Sequence, residues 1–450
     1  MTVLGYGIDF GTTNSAISIA YDDRVDVVDV EPRSSLPTML PSMVYLHRNR
    51  NRLAGTQAAE NFMVTGRNRH SCSACPLVKL VNGEADTQCG TYRRGGGCMD
   101  ARLLAGLKLD LADASFASTH SWAIDFRVDD LVAIALRRLK SLADTQSGAD
   151  VRRAVFGFPL AFPGTGGREF DAQQGLAWYR LDDAAHAAGF DEVERLAEPH
   201  AAAIVEESDD GTVLAVDFGG GTFDAAVIEF GPDTAEVTAL QGAAVGGELI
   251  DADIFRHKVA DALGLHASFS GQSGAALSMP ATMRRGFESL SRIKHLVNNN
   301  DVGVWLREHA SMPGGAALTQ LGELLYGGQA YEFYRAIEQA KIDLSSVDQT
   351  SISFHRPGID VDVDFTRREL DGIVAPYLDH IEECIAVALE RAQVADDELA
   401  YVITTGGSSQ LASFQNFLAG RFGSEKIMVR DPYNTVVTGL GYDAQSRWAT

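Results

Sequence analysis

The sequence predicts an α/β protein whose two lobes face each other across a cleft. The first observation is a glycine-rich turn that occurs twice, at residues 7–14 and again at residues 216–224. In both copies an apolar run ends in Asp, glycines follow, and Thr hydroxyls come next. The second observation is that helical and strand patterns alternate after each copy, which is typical of α/β lobes. The repetition of this order predicts two related lobes.

Length, charge and hydrophobic patterning limit the class of protein. The 450 residues are enough for about three domains. A net charge of -23 argues against sequence-independent binding to nucleic acid or to an acidic membrane, because phosphate contact needs basic patches. No apolar run approaches the ~20 residues that span a bilayer, and a first strand beginning near Val3 leaves no room for a signal peptide. We therefore expect a cytoplasmic protein that binds neither nucleic acid nor membrane.

The first half is expected to contain a hairpin, an insertion and an alternating series of helices and strands. Residues 3–30 contain strand patterns around the first turn, whereas residues 32–120 are polar, rich in Gly and Arg, and weakly periodic. That change indicates an inserted subdomain. The elements predicted after it are a helix over 131–142, a strand over 151–158, a helix over 170–188 and a helix that begins at Ala201.

The second half repeats this order. A strand over 212–218 leads into the second turn, and Gly246-Gly247-Glu248 precedes a helix. Residues 265–330 are less patterned and are expected to form part of another inserted subdomain. The elements predicted after them are helices over 331–344, 366–392 and 411–422 and a short strand over 400–403.

Both turns have the chemistry of a phosphate clamp. Backbone N–H groups and hydroxyls in a glycine-rich turn can surround phosphate oxygens, and an Asp on each side can hold a hydrated Mg²⁺ between them. A single Asp-x-Gly-Thr turn is more often an ordinary hairpin, because these residues favour turns. Two copies in one chain favour a nucleotide clamp. The sequence contains no Gly-x-x-x-x-Gly-Lys-Ser/Thr, so a P-loop is excluded.

Four further motifs accompany the two turns: Glu198-Pro-His-Ala-Ala-Ala, Gly246-Gly-Glu, Glu338-Gln-Ala-Lys-Ile-Asp-Leu-Ser-Ser and Thr405-Gly-Gly-Ser. Together with the turns they resemble the actin-like ATPase superfamily, and within it the ATPase domain of the 70-kDa heat-shock chaperones. The motif that begins at Glu338 is the most discriminating, because actin, sugar kinases and exopolyphosphatases share the two loops but, as a rule, not this helix. The resemblance covers most of the chain.

This resemblance implies the actin-like ATPase fold, in which two ribonuclease-H-like βββαβαβα domains flank a nucleotide cleft and each carries an inserted subdomain. We expect the lobe I core at residues 1–36, 121–208 and 431–450, with residues 37–120 inserted. The lobe II core is expected at residues 209–248 and 365–430, with residues 249–364 inserted. In the chaperones a linker and a peptide-binding domain follow the position of Thr450, so we expect a short relative that has the ATPase domain alone.

The resemblance also implies roles for individual residues. Asp9 and Asp217 would organise Mg²⁺ through water, and Glu198 would position the attacking water. The hydroxyls that would contact the β- and γ-phosphates are those of Thr12, Thr13 and Thr222. The residues that would contact adenosine are Glu338, Lys341 and Ser345. The remaining nucleotide-binding positions are Gly11, Asn14, Gly219, Gly220, Gly221, Gly246, Gly247, Glu248, Gly406, Gly407 and Ser408. Such a site acts by placement and charge neutralisation.

Three departures from the family pattern bear on hydrolysis and on base recognition. The family's essential Lys has its nearest match at Arg102, whose planar guanidinium has a different geometry, and Lys108 is a second candidate. The Arg that stacks on adenine in the family is replaced by Gln410, which removes a cation–π contact. The family's Asp–Glu pair near the C-terminus is replaced by Tyr433-Asn434. These departures favour nucleotide binding with slow hydrolysis and leave the base preference open.

Four cysteines lie close together in the sequence, at Cys72, Cys75, Cys89 and Cys98. A Cys-x2-Cys pair is the usual first half of a tetrahedral Zn²⁺ site, although the second pair is more widely spaced than usual. The polar, glycine-rich surroundings suit a small region that a metal stabilises. Structural zinc is the leading interpretation, and free or redox-active thiols or an iron–sulfur cluster stay open. A stable disulfide is not expected in the cytoplasm.

The leading functional hypothesis is a chaperone-like, slowly hydrolysing ATPase, in which Mg-ATP controls the closure of two lobes. A protein client or co-chaperone would respond to the state of the lobes. One alternative is a nucleotide-binding scaffold or sensor with negligible hydrolysis, motivated by the missing Lys. A small-molecule kinase would need an Asp general base, for which the sequence offers no candidate. The Glu338 motif argues against actin-like filaments, and we expect a monomer that binds ATP or ADP with Mg²⁺.

Overall fold

The structure is a computed structural model and describes residues 2–66, 68–71, 79–81, 84–86, 97–122, 124–162, 172–205, 211–231, 234–270, 276–297 and 300–449. The strands are, in chain order, β1 (Val3–Phe10), β2 (Asn14–Tyr21), β3 (Val25–Val27), β4 (Leu40–Pro41), β5 (Met43–His47), β6 (Arg52–Ala54), β7 (Arg69–Ser71), β8 (Lys79–Val81), β9 (Glu84–Asp86), β10 (Gly97–Met99), β11 (Ala101–Ala105), β12 (Ser118–Ser121), β13 (Ile124–Arg127), β14 (Arg153–Phe158), β15 (Glu192–Ala197), β16 (Gly211–Phe218), β17 (Phe223–Gly231), β18 (Thr234–Ala243), β19 (Phe269–Ser270), β20 (Ala276–Leu277), β21 (Gln349–Arg356), β22 (Ile359–Thr366), β23 (Leu399–Thr405) and β24 (Ile427–Val429).

The α-helices are, in chain order, α1 (Thr56–Thr65), α2 (Leu107–Ala112), α3 (Val128–Ser147), α4 (Ala172–Ala188), α5 (Glu198–Ile204), α6 (Gly247–Ile254), α7 (Ala281–Gly286), α8 (Leu290–Val297), α9 (Asn300–Ala310), α10 (Leu318–Tyr326), α11 (Ala330–Asp343), α12 (Arg367–Ala392), α13 (Ala412–Phe422) and α14 (Thr435–Trp448). A π-helical turn (Phe255–Val259) extends α6, and short 3₁₀ turns occur at Gly407–Gln410 and Ser424–Lys426. Within the described ranges, no helix combines the length and the apolar character that crossing a bilayer requires.

The first large sheet has the strand order β15-β14-β1-β2-β3, with β4 also paired to β2. β1 runs antiparallel to β2 and parallel to β14. Tyr6, Ile8 and Phe10 on one face of β1 pack into the cluster that includes α3 and α4. Leu4 on the other face, together with Val155 of β14, packs against α14. Because helices cover both faces, the central strands are almost continuously apolar in sequence.

The second large sheet has the order β18-β17-β16-β23-β24. Again the first two strands of the unit, β16 and β17, form an antiparallel hairpin, and β16 runs parallel to β23. Leu214, Val216 and Phe218 pack into the cluster that includes α12 and α13. Val213 and Ala215 face the opposite side, where α5 contributes to the cluster. This sheet is therefore also covered on both faces.

The two sheets repeat one arrangement. The order β3-β2-β1-β14-β15 corresponds to β18-β17-β16-β23-β24. In both units a helix precedes the fourth strand (α3 or α12), another lies between the fourth and fifth (α4 or α13), and a third follows the fifth (α5 or α14). This is the duplicated βββαβαβα arrangement, so the predicted actin-like α/β fold is confirmed.

The helix boundaries differ from the sequence predictions where capping decides them. The helix predicted over 131–142 is longer, because Asp129 and Asp130 lie in the first turn of α3, and Gly148 ends the helix in a left-handed conformation with φ 71°. α12 begins after Thr366, which forms a reciprocal capping box with Glu369. Residues 265–330, which carry little pattern in the sequence, contain α7 to α10, whose shortness explains the weak periodic signal.

Candidate functional site

A cleft of about 330 Å³ lies between the two large sheets, at the ends of β1 and β16. That volume is within the usual range for a small-molecule site. Residues predicted from the sequence that line it are Asp9, Gly11, Thr12, Thr13, Asn14, Glu198, Asp217, Gly219, Gly220, Gly221, Thr222, Gly247, Glu248, Glu338, Lys341, Ser345, Gly406, Gly407 and Ser408. The structure thus brings together residues from six separate segments of the chain.

The two glycine-rich turns meet at the base of this cleft. In the first hairpin Asp9 pairs with Ala16 across the strands, and in the second Asp217 pairs with Asp224. A Cβ atom added to Gly220 would lie 2.5 Å from Thr13 Oγ1. Since real Cβ atoms do not approach so closely, glycine at this position lets the second turn contact the first. The backbone N–H groups and hydroxyls of both turns consequently face one space.

Several buried carboxyl groups crowd this space. Burial, followed by the nearby charge of Glu198, raises the pKa of Asp9 to about 7. Burial and Glu198 likewise raise the pKa of Asp217 to about 6, although a hydrogen bond from Thr405 opposes the shift. Burial and the neighbouring carboxylates raise the pKa of Asp224 well above its ordinary value. One oxygen of Asp224, Oδ2, is buried without a hydrogen-bond partner. Such crowding of negative charge favours a bound cation.

Lys108, and not Arg102, places a positive charge in the cleft. Lys108 Nζ lies 2.5 Å from Glu198 Oε1, and both side chains are almost fully buried. Burial alone lowers the pKa of Lys108, but the charges of Glu198 and Asp9 raise it overall. Lys108 is the residue that the sequence indicated as the second candidate. It reaches the site because α2 begins immediately after Gly106, which has a φ of 67°.

The sequence prediction for Arg102 is corrected by this geometry. The Arg102 guanidinium donates to Thr119 Oγ1 at 2.8 Å, to Ser121 Oγ at 3.0 Å and to the Lys294 carbonyl at 2.7 Å. It does not line the cleft. Arg102 lies on β11, and its guanidinium bonds side chains of β12 and a backbone carbonyl of α8 instead of entering the cleft.

Glu198 is the first residue of α5 and is only 3% exposed. Pro199 follows it, as is common in the first turn of a helix, where a backbone N–H is not needed. The carboxylate is next to Gly157 of β14, where a Cβ atom would lie 3.2 Å from Glu198 Cγ. Glu198 therefore ends a strand-to-helix connection and projects into the cleft between Lys108 and the two Asp residues.

The start of α6 and the turn after β23 hold the second glycine-rich turn in place. Gly247 N donates to Gly219 O at 3.1 Å, and Glu248 N donates to Gly220 O at 2.8 Å. Ser408 Oγ donates to Gly219 O at 2.8 Å. Gly246, the one glycine of the predicted set that does not line the cleft, lies directly behind Gly220. The two bonds from Gly247 and Glu248 join backbone groups and depend little on side-chain identity, whereas the third needs the Ser408 hydroxyl.

α11 lines one side of the cleft. Lys341 Nζ lies 2.8 Å from Asp251 Oδ1 and 3.4 Å from the Gly247 carbonyl. Glu338 pairs with Arg335 at 2.7 Å. Asp251 was not among the site residues predicted from the sequence. Its position three residues after Glu248 on the same helix was the available signal, because residues three apart share a helix face.

Three further side chains that line the cleft, those of Ile342, Gln410 and Tyr433, are uncharged. Ile342 lines the cleft and is 46% exposed, an unusual exposure for a large apolar residue. Gln410 Nε2 donates to the Tyr433 hydroxyl at 3.3 Å, and Tyr433 lies beside Gly407. From the sequence, Gln410 and Tyr433 were identified only as departures from the family pattern. The structure shows that both border the cleft, and an aromatic ring there can stack on a planar group.

The cysteine cluster lies largely outside the described residues. Cys72, Cys75 and Cys89 are not described, and of Cys98 only the backbone, in β10, is. Among the residues that are described, no group of three or more His, Cys, Asp or Glu side chains could hold a metal ion directly. Structural zinc at these cysteines stays a prediction from the sequence.

Comparison with known proteins finds a family whose model matches most of the chain, and many curated relatives match as well. The family described as "Hsp70 protein" matches residues 5–266 and 329–445, which leaves residues 267–328 unmatched. A chaperone protein DnaK of Cenarchaeum symbiosum (strain A) is 24% identical over 452 residues, covering 97% of this chain and 53% of the relative. The chain therefore spans about half the length of that relative.

Proposed function

The chain belongs to the Hsp70 protein family, and on this premise we propose that it binds ATP with Mg²⁺ in the cleft, hydrolyses the ATP slowly, and thereby controls the closure of its two lobes. The family resemblance that the sequence motifs predicted is confirmed by the match over most of the chain. The observation that carries the proposal is that the two glycine-rich turns meet beside a group of buried carboxyl groups, those of Asp9, Asp217 and Asp224.

The residues present fit a magnesium ion. Asp9 and Asp217 end the two strands that lead into the turns, and carboxylate oxygens are preferred ligands of Mg²⁺. The pKa values of both groups are raised, and Oδ2 of Asp224 has no hydrogen-bond partner. A cation bound beside these carboxylates would therefore be stabilised. Asp9 and Asp217 would hold the ion through water molecules. When bound, it would neutralise phosphate charge and fix the orientation of the phosphates.

The side chains of the cleft have distinct roles in this proposal. Thr12, Thr13 and Thr222 offer hydroxyls to the phosphate oxygens, together with the backbone N–H groups of both turns. The ammonium of Lys108 stabilises negative charge that develops during phosphoryl transfer. The carboxylate of Glu198, bonded to Lys108, orients the attacking water from the end of α5.

The chaperone part of the proposal rests on family membership. The similar protein of Cenarchaeum symbiosum is a chaperone protein DnaK, and this chain corresponds to about half of it. We infer that a protein client or a co-chaperone responds to the nucleotide state of the two lobes. Such a response requires that the two states present different surfaces, which closure of a cleft between two sheets provides.

A nucleotide-binding sensor with negligible hydrolysis is the second candidate. The observation that favours it is the ion pair between Lys108 and Glu198, since the two residues that would act on the phosphate and the water are bonded to each other. A site in which that pair persists with nucleotide bound would hold ATP without turning it over.

Calorimetric titration with ATP in the presence of Mg²⁺, followed by single-turnover hydrolysis, tests the proposal. We expect binding and slow hydrolysis in the wild-type protein, and loss of Mg²⁺-dependent binding in Asp217→Asn. Asp364→Asn, which makes the same change at an exposed position on β22, is the matched control and should behave as wild type. Binding without hydrolysis would establish the sensor instead. Absence of binding in the wild-type protein would refute both functions.

A further inference from the structure

The segment that the family comparison leaves unmatched, residues 267–328, contacts the other half of the molecule through α8. The Lys294 side chain of α8 is 1% exposed and forms an ion pair with Asp110 of α2. Its ammonium also donates to the Ala105 carbonyl at 2.7 Å. A buried ammonium that has a carboxylate and a carbonyl as acceptors is well compensated, so this contact is specific in its geometry.

Neighbouring contacts hold α8 against the part of the chain around α2. The Lys294 carbonyl accepts a hydrogen bond from Arg102 at 2.7 Å, and Arg102 is itself buried. The His295 ring meets the Phe116 ring edge-on, with centroids 4.6 Å apart. Gly106 lies directly below Ser291, where a Cβ atom on Gly106 would be 2.4 Å from Ser291 Cβ. Through these contacts α8 packs against the residues that precede α2 and against those that follow it.

α2 carries Lys108 and Asp110 on opposite sides. Residues two apart on an α-helix project roughly 200° apart around the axis. Lys108 points into the cleft and bonds Glu198 at 2.5 Å, whereas Asp110 points to Lys294. At the end of α2, Arg180 donates to the carbonyls of Asp110 and Leu111 at 2.8 and 3.0 Å. With only six residues, α2 has little rigidity of its own and depends on such anchors.

We propose that Lys294 is a positioning residue: by anchoring Asp110 from across the cleft, it holds α2 in the orientation that places Lys108 on Glu198. The unmatched segment thereby sets the geometry of the positive charge in the cleft. This inference rests on the proposed function for what Lys108 does to nucleotide, but its structural content, the dependence of Lys108 on Lys294, is independent of any nucleotide.

The first test measures the position of Lys108 without ATP. Reductive methylation followed by mass spectrometry reports how accessible each lysine is. We expect Lys108 to be protected in the wild-type protein and to become at least about tenfold more reactive in Lys294→Met, with Lys294→Arg restoring most of the protection. Lys140, whose side chain is 8% exposed like that of Lys108 and pairs with Asp144 and Asp150 far from α8, is the matched internal control. Unchanged protection of Lys108 in folded Lys294→Met would overturn the proposal.

The second test uses hydrolysis and a double-mutant comparison. We expect Lys294→Met to slow single-turnover hydrolysis by roughly tenfold while the Kd for Mg-ATP changes less than about threefold. If Lys294 acts through Lys108, adding Lys294→Met to Lys108→Met produces no further loss. Equal losses in both backgrounds would mean that Lys294 acts by another route and would overturn the proposal.

A double variant distinguishes loss of the ion pair from misfolding of the protein. Lys294→Met leaves Asp110 buried without its partner, which can unfold the protein. Asp110→Leu with Lys294→Met removes both charges together and leaves none uncompensated. We expect this variant to fold and still to expose Lys108 to methylation, and protection equal to wild type would overturn the proposal. If the wild-type protein fails to hydrolyse ATP, the proposed function fails, whereas the methylation result still decides the role of Lys294.

Discussion

The two halves of this molecule share one strand order but use it for different chemistry. Asp9 and Asp217 occupy the same place, at the end of the central strand that leads into a glycine-rich turn. Across the hairpin, however, Asp9 faces Ala16 whereas Asp217 faces a second carboxylate, Asp224. On the other neighbouring strand the second half offers Thr405, which donates to Asp217 Oδ1 at 2.8 Å.

The corresponding strand of the first half has no such hydroxyl. There Gly157 follows Phe156, the partner of Ile8, and its missing side chain leaves room for Glu198. The first half also supplies Lys108. The duplicated scaffold therefore decides where a charge can be placed, while the residue types at equivalent positions decide whether that place holds a carboxylate, its hydrogen-bond partner or a cation.

The largest expected effect comes from the charge that only the first half supplies. We expect Lys108→Met to lower single-turnover hydrolysis about 10²- to 10³-fold, as loss of one well-placed stabilising donor does elsewhere. Arg102→Met should retain at least ten times more hydrolysis than Lys108→Met, because Arg102 lies outside the cleft, and should instead lower the free energy of unfolding by roughly 2–3 kcal/mol through three lost hydrogen bonds. Quench-flow kinetics and urea denaturation separate the two effects. Equal hydrolysis in both variants would contradict this assignment.

The next largest effect is expected from substitutions at equivalent positions of the two central strands, β1 and β16. Gly7 of β1 corresponds to Ala215 of β16, two residues before the Asp in each. A Cβ atom on Gly7 would lie 2.4 Å from the backbone nitrogen of Gly441 in α14, so Gly7→Ala must displace that helix. We expect a loss of roughly 3 kcal/mol in the free energy of unfolding for Gly7→Ala, against about 1 kcal/mol for Ala215→Gly. Urea denaturation of the two variants measures the difference, and a larger loss for Ala215→Gly would be the contrary result.

A smaller effect is expected where the second half has a hydroxyl and the first has none. Thr405→Val removes the hydrogen bond that favours ionised Asp217, and we expect Mg²⁺-dependent ATP affinity to fall about five- to tenfold. Thr404→Val is the matched control, because the Thr404 hydroxyl is buried without a partner and its removal should leave affinity and stability unchanged or improved. Isothermal calorimetry on both variants checks this. A similar loss of affinity in both would show that packing, and not the hydrogen bond, is responsible.

The smallest effect concerns Glu248, which adds a further carboxyl group to the second half. Burial raises its pKa to about 7, although Lys294 and Ser289 oppose the shift. Because the folded-state pKa lies above the ordinary value of 4.5, the folded protein binds a proton that the unfolded chain releases, and stability falls as the pH rises from about 4.5 through 7. Because Glu248 stays partly exposed to solvent, which screens its charge, we expect only part of this shift to appear as stability: Glu248→Gln should stabilise the metal-free protein by about 1 kcal/mol more at pH 8 than at pH 5.

Urea denaturation at both pH values checks the prediction for Glu248. Glu229→Gln, the same change at an exposed position on β17, is the control and should show little dependence on pH. A Glu248→Gln variant whose advantage shrinks as the pH rises would reverse the sign expected from burial.

Much of the fold and of the cleft could be predicted from the sequence because the informative patterns are local. The glycine-rich turns that contain Asp9 and Asp217 are contiguous, as is the helix motif from Glu338 to Ser345, and each specifies its own backbone. Their duplication indicated two lobes, and the structure brings these segments to one cleft. Where a motif is short and its positions require glycine or a hydroxyl side chain, the sequence alone indicates the local structure.

The packing of whole elements determines which residues from distant segments of the chain meet. The sequence favoured Arg102 as the positive charge of the site, yet its guanidinium bonds Thr119, Ser121 and the Lys294 carbonyl. The short helix after Gly106 brings Lys108 to Glu198 instead. Asp251 and the anchor from Lys294 to Asp110 likewise depend on packing between segments far apart in the chain. The physical reason is that residue type and spacing fix local backbone geometry, whereas the direction of a side chain into a shared cleft depends on how whole elements pack together.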